Sequence, residues 1–314
     1  MWYMNGSGRR FGGGGMFEKR PLIEWPTFAL LVLCYGGFAL GTLAASALWL
    51  PLGMAVTTIA IVLHSSLTHE VVHGHPFRNQ TLSEATVFPV LGLFVPYLRF
   101  KDTHLEHHQD SKLTDPYDDP ESNYLDPKVW SQLHPAYRFL LGLNNRLLGR
   151  IILGPAIGQV CFMQQDWKAI AGGDRRVLLG WALHVPGIAL VFWWVLAVSH
   201  MPFWAYLICA YVAFGILKIR TFLEHQAHEK YQSRTVIIED HGPLAWLFLY
   251  NSLHVVHHMH PRLPWYRLPK VFNGNKDRYL GRNDGYYYSS YWAILRRYLL
   301  SPKDPVPHPL WPKQ

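Results

Sequence analysis

Apolar and polar positions along this chain are segregated into blocks. Residues 27–50 form a run of 24 without a single charge. As a helix that run rises about 36 Å, enough to cross the hydrocarbon core of a bilayer. Residues 51–67 form a second, shorter run that follows almost at once. A third run covers 177–198 and a fourth 203–217, again only a few residues apart. The pattern predicts an all-α integral membrane protein with four transmembrane helices arranged as two hairpins. Two weaker stretches are expected as interfacial or partly re-entrant helices rather than spans. One is 86–100, short and interrupted by Pro89 and Pro96; the other is 139–163, which carries Arg146 and Arg150. The aromatic-rich segment 286–300, with Arg296 and Arg297, is expected to lie flat with 139–163 and cap a site. The first run is too long for a cleaved secretory signal, and no small-residue cleavage pattern follows it.

Composition agrees with this reading. Half of the 314 residues are apolar and only 16% are charged, below the roughly 25% of an ordinary soluble domain. Disorder, a collagen-like chain and a disulfide scaffold are excluded. The three cysteines, Cys34, Cys161 and Cys209, are far apart in apolar stretches, so neither a thiolate metal site nor a redox pair is indicated.

The net charge of +8 acts as a topology signal. Arg9, Arg10, Lys19 and Arg20 precede the first span, while Arg78, Arg99, Lys101 and Lys112 follow the second. Arg175 and Arg176 precede the third span, and Lys218 and Arg220 end the fourth. The hairpin tips, Trp49–Pro51 and Ser199–Pro202, carry no Lys or Arg. The positive-inside rule then places both termini and the long intervening segments in the cytoplasm. Nothing resembles a nucleic-acid-binding module. The expected organisation is a cytoplasmic tail over 1–26, a membrane unit over 27–260 and a cytoplasmic segment over 261–314.

Histidine brings in the chemistry. The eighteen histidines are unevenly spread. His69 and His73 end the second span. His104, His107 and His108 follow in the next cytoplasmic stretch. His225 and His228 lie just beyond the fourth span, and His254, His257 and His258 come later. Each cluster therefore falls at or past the cytoplasmic end of a span. Positions i, i+3 and i+4 project from one face of a helix, so HxxxH and HxxHH present their imidazoles together. Neutral imidazole suits iron, zinc, copper and nickel. Eight such rings exceed what one tetrahedral site can use; with His225 there are nine, a sensible set for two ions with open positions. The combination predicts a histidine-rich cytoplasmic cap. Glu70, Glu106, Glu224 and Asp102 lie close enough in sequence to hydrogen-bond the remaining ring nitrogens, and Arg220 and Glu224 are spaced to pair. His64, His184 and His200 read as packed or snorkelling residues, and His134, His241, His260 and His308 as loop histidines. Gly74 is expected to end the helix, after which His75 either turns back to the metals or lies at the surface; His228 is equally open.

His69-Glu70-x-x-His73 also matches the zincin pattern HExxH. A zinc membrane protease would leave both HxxHH clusters without a role. A histidine-lined transporter or haem protein would favour ionisable residues at mid-span, whereas these clusters sit at span ends.

HEVVHGH at 69–75, HLEHH at 104–108 and HVVHH at 254–258 resemble the three histidine boxes of the membrane fatty acid desaturase/hydroxylase superfamily. The downstream His260-Pro261 and Pro264–Pro269 stretch and the acidic loop DPYDDPE at 115–121 are similar to bacterial acyl-lipid desaturases in particular. The resemblance implies a pair of iron ions (Fe2+/Fe3+) with O2 as co-substrate. It assigns His69, His73, His104, His107, His108, His254, His257 and His258 as ligands, with His225 as the ninth. Asn251, one turn before His254, is placed to hold a metal-bound water or orient a ligand. The implied activity is O2-dependent desaturation of a lipid acyl chain in the bacterial cytoplasmic membrane. A hydroxylase or ketolase of alkyl, terpenoid or carotenoid chains, or a desaturase of a smaller amphiphile, shares the same boxes. The chain carries no HPGG haem module, no GxGxxG and no ferredoxin cysteine set, so electrons are expected from a separate ferredoxin or flavoprotein system.

Overall fold

The computed structural model describes residues 21–109 and 111–311. The orientation residues Arg9, Arg10, Lys19 and Arg20, and most of the 1–26 tail, lie outside the described residues.

Four helices are long and apolar enough to cross a membrane: α1 (Trp25–Leu48), α2 (Leu50–Val72), α7 (Arg175–Val198) and α8 (Phe203–Thr221). These coincide with the four expected spans, and the protein is an integral membrane protein by that measure. Pro26 and Pro51 sit in the first turns of α1 and α2, where no intrahelical N–H is needed. Trp49 adopts an extended conformation between them, closing the first hairpin. α2 is the most enclosed span and packs against both α1 and α8. Phe38, Ile61, Val62, Tyr206, Cys209 and Ala210 form part of the core between them. The outward faces carry exposed apolar side chains such as Leu33, Val185, Leu196 and Trp204, which in water would be a large liability and in lipid is not.

The hairpin closes through backbone approach. A Cβ added at Gly53 would stand 2.1 Å from Ser46 Oγ and 2.7 Å from Ser46 Cα. Within α1, Ser46 Oγ donates to Gly41 O at 2.7 Å. Small residues at such crossings are what allow membrane helices to pack. Gly53→Leu is therefore expected to force α1 off α2, destabilising the protein by about 1–3 kcal/mol. Thermal aggregation in detergent measures this; an unshifted transition contradicts the packing described.

Between the hairpins the chain dips back among the spans, where Tyr206 Oη donates to Leu91 O and His184 Nε2 to Leu93 O, both at 2.8 Å. Residues 86–96 are irregular, with helix beginning only at α3 (Tyr97–His107). The expected helix over 86–100 is thus corrected: Pro89 and Pro96 interrupt the ladder, and Pro96 becomes the residue before the first helical turn. The stretch 139–163 is likewise broken, into α4 (Pro135–Asn144), α5 (Leu147–Ile152) and α6 (Gly154–Ala171). α9 (His254–Met259) carries the third histidine cluster, and α10 (Tyr291–Tyr298) buries Tyr291, Ile294 and Tyr298. A two-residue parallel ladder joins β1 (Ile237–Ile238) to β2 (Tyr287–Tyr288). It draws the C-terminal segment beneath the turn that leaves α8, where Tyr286 Oη donates to Leu223 O at 2.7 Å.

Candidate metal centre

Nine buried or half-buried histidines converge at the end of the spans in two groups. His69, His73, His104, His108 and His257 form one; His107, His225, His254 and His258 form the other. Within each group one donor atom per residue lies within 4.8 Å of all the others. The nine are the nine that the sequence singles out.

Local structure explains the convergence. α2 ends at Val72, with His73 as its C-cap and Gly74 at φ 101°, the left-handed turn that glycine tolerates. His69 and His73 therefore project together from the last turn. α3 delivers His104 and His107 from one face and His108 from its C-cap. α9 delivers His254, His257 and His258. His107 and His108, and likewise His257 and His258, are consecutive yet belong to different groups. Those two adjacent pairs hold the groups side by side; the His108 and His258 rings stack at 4.4 Å. His225 lies outside any helix, in a bridge to Thr235.

The contacts among the rings have the spacing of ligands around an ion. Nε2 to Nε2 distances are 3.1 Å for His73–His104, 3.0 Å for His104–His108 and 3.1 Å for His108–His257. In the second group they are 2.8 Å for His107–His225 and 3.2 Å for His225–His254. Bonds of about 2.1 Å to a central ion would put neighbouring ligands at right angles about 3.0 Å apart. Hydrogen bonding alone cannot account for the arrangement. His104 Nε2 faces both His73 and His108, yet it has only one proton or one lone pair to share. His69 Nε2 is buried and makes no hydrogen bond among the described residues. A cation satisfies all of these nitrogens at once.

The outer ring nitrogens are held by other residues. His107 Nδ1 donates to Asp119 Oδ1 at 2.8 Å, and His104 Nδ1 to Glu121 Oε1 at 3.2 Å. His254 Nδ1 donates to Asn251 Oδ1 at 3.2 Å, while Asn251 Nδ2 donates to Glu224 Oε1 at 3.3 Å. With the proton fixed on Nδ1, each Nε2 turns its lone pair inward. Burial, and the charge of neighbouring histidines, push His108, His225, His254 and His257 down. His107 is the exception: burial opposes its charge, but Glu121 and Asp119 outweigh burial and raise it to about 9. Most of these imidazoles thus resist protonation and keep a lone pair, the state in which histidine binds a metal ion.

Some of the expected supporting residues lie elsewhere. Glu106 points from the opposite side of α3 and pairs with Lys112 at the surface at 3.2 Å, so its expected role beside the histidines is corrected. Asp102 likewise pairs with Arg176 at 2.8 Å. Glu70 Oε1 stands 3.7 Å from His69 Nδ1, and its other oxygen accepts from Trp265 N at 3.1 Å. Glu224 meets Arg220 at 3.3 Å. His75 donates to Glu24 at 2.6 Å and His228 lies near Lys230 and Asp284; neither joins the two groups. His308 lies in a loop as expected, buried against Thr114. Asp119 and Glu121 are the residues that sequence reasoning missed; the density of acids at 115–121 was the available signal.

A cavity of about 540 Å³ opens from His107, His225 and Glu121 and continues between the spans, past Ile61, Val87, Phe94, Phe162 and Phe214. That is the size and lining of a site for a mostly apolar small molecule. Buried imidazoles in two groups, at the mouth of an apolar cavity in a four-span helical protein, define a membrane histidine-box oxidoreductase. The fatty acid desaturase family matches residues 45–292, and the chain belongs to that family. A beta-carotene ketolase of Paracoccus sp. (strain PC1) is 26% identical over 247 residues, covering 77% of this chain and 79% of that protein. The histidine clusters fit the metal site typical of the di-iron desaturases.

Proposed function

We propose that this protein is an O2-dependent oxidoreductase that uses two irons to desaturate a long apolar chain, with a fatty acyl group as the substrate. The observation that carries the reading is the grouping of nine imidazoles, five and four, beside a cavity between the spans. A bound iron pair supplies the O2 activation and hydrogen removal that side chains alone cannot perform. His69, His73, His104, His108 and His257 hold one ion, and His107, His225, His254 and His258 the other. Asp119 and Glu121 fix two of these rings, and Glu224 fixes Asn251, which in turn orients His254. Ile61, Val87, Phe94, Phe162 and Phe214 keep water from the reacting methylenes.

The site lies at the span ends that carry Arg78, Arg99, Lys101, Arg175 and Arg176, which supports a cytoplasmic placement. Electrons then arrive from a separate ferredoxin or flavoprotein system. Ketolation of a carotenoid-like chain is the second reading, favoured by the name of the Paracoccus relative. Expression in a host lacking the gene, followed by mass spectrometry of the lipid and pigment fractions, separates the two. Loss of two hydrogen atoms from an acyl chain supports desaturation. Gain of oxygen on a pigment supports the second reading and overturns the first.

A further inference from the structure

Two cations near the cytoplasmic end of α8, Lys218 and Arg220, line the cavity. A lysine at such a position ordinarily extends outward to the lipid headgroups. Lys218 does the reverse. Its Nζ lies 4.6 Å over the ring of Phe214, one turn deeper in the span, and faces the cavity. Among the described residues, no carboxylate forms an ion pair with it. Arg220 is 8% exposed, and its Nη1 is buried without a hydrogen-bond partner among the described residues. Glu224, at 3.3 Å from Arg220 Nε, already accepts from Asn251. Glu121, the other carboxylate at this end of the cavity, is taken by His104. A third cation, Lys303, donates to Phe222 O and His225 O and is satisfied there.

An ammonium with no ion-pair partner, beside a guanidinium whose Nη1 is unspent, is costly in a partly apolar cavity unless a partner arrives. Intramembrane charges of this kind mark substrate sites. Resting on the function proposed above, the geometry points to an oxygen-binding subsite formed by Lys218 and Arg220, which holds a carboxylate or carbonyl oxygen of the substrate. The rest of the wall sets the direction of the chain. Ala210, Phe214 and Lys218 follow one another by single turns of α8, and Ile61, Ser65 and Thr68 descend α2 in the same way. From Lys218 to Ala210 the cavity runs about 12 Å toward the bilayer centre. A chain held by its oxygen at Lys218 places its tail against Ile61, Val87 and Ala210.

The test uses the full chain, as purified with its metals, in lipid nanodiscs. Laurate, dodecanol and dodecane serve as probes of equal chain length, with binding measured by equilibrium dialysis. Laurate is expected to bind at least about tenfold tighter than dodecane, with dodecanol as the control that carries an oxygen but no carbonyl. Lys218→Met, which keeps the apolar stem, is expected to remove that preference without changing dodecane binding, and Lys218→Arg to restore it. Equal binding of all three probes, or an oxygen preference that survives Lys218→Met, overturns the subsite. Iron content of the same preparations separates the two proposals. Iron-loaded protein indifferent to the substitution loses the subsite alone. Iron-free protein that keeps the preference loses the oxidoreductase reading alone.

Discussion

His107→Ala is expected to abolish turnover, by more than about 100-fold, while the protein still inserts and extracts from the membrane like the wild type. The ring removed is one of only four in its group, and its Nε2 lies 2.8 Å from that of His225. Losing a direct ligand exceeds the roughly 10–100-fold cost of losing a supporting one. Insertion is preserved because the spans are held by a separate hydrophobic core that includes Phe38, Ile61 and Tyr206. Iron bound per chain falls as well, since three imidazoles leave that group short. Near-normal turnover in this variant contradicts the ligand assignment. His257→Ala makes the corresponding test of the larger group.

Asp119→Ala is expected to weaken metal binding and activity about 10–100-fold without removing a ligand. One carboxylate oxygen of Asp119 accepts from His107 Nδ1 at 2.8 Å; the other accepts from Thr114 N at 2.9 Å. The backbone N–H of Glu121 adds a third bond at 3.0 Å. Asp119 therefore fixes both the tautomer of His107 and the loop that brings Glu121 to His104. Glu106→Ala is the matched control. Its partner is Lys112, both side chains are well exposed, and the change is expected to stay within about 0.5 kcal/mol of neutral in stability, with metal content unaltered. Metal titration of the two variants compares them directly. Equal behaviour would show that the acidic loop does not support the centre.

These two carboxylates mark the boundary of what the sequence makes legible. The spans are readable because an uncharged run of bilayer length admits few structures, and the histidines are readable because helical spacing puts HxxxH and HxxHH on one face. Glu106 and Asp102 attract notice by standing two residues from His104, but two residues is the wrong interval: i and i+2 face apart on a helix. Asp119 and Glu121 are distant from α3 in register and reach the rings through a loop whose path depends on tertiary contacts with Thr114 and His308. No local pattern encodes that path. His225 and His228 illustrate the same limit. Read as one helical turn apart, they separate because α8 ends at Thr221, leaving His225 beside Thr235 and His228 near Asp284. The interfacial or partly re-entrant helix expected over 86–100 enters the bundle at Leu91 but is not helical before Tyr97, because Pro89 and Pro96 interrupt the ladder.

The central question for this protein is whether four distant stretches of chain cage a pair of irons. Mössbauer spectroscopy with metal quantification on iron-enriched, purified protein asks this most directly. Two irons per chain in unlike, nitrogen-rich environments, with no haem absorbance, is the expected result. A single zinc ion, a haem, or one iron that no added iron can double would contradict it.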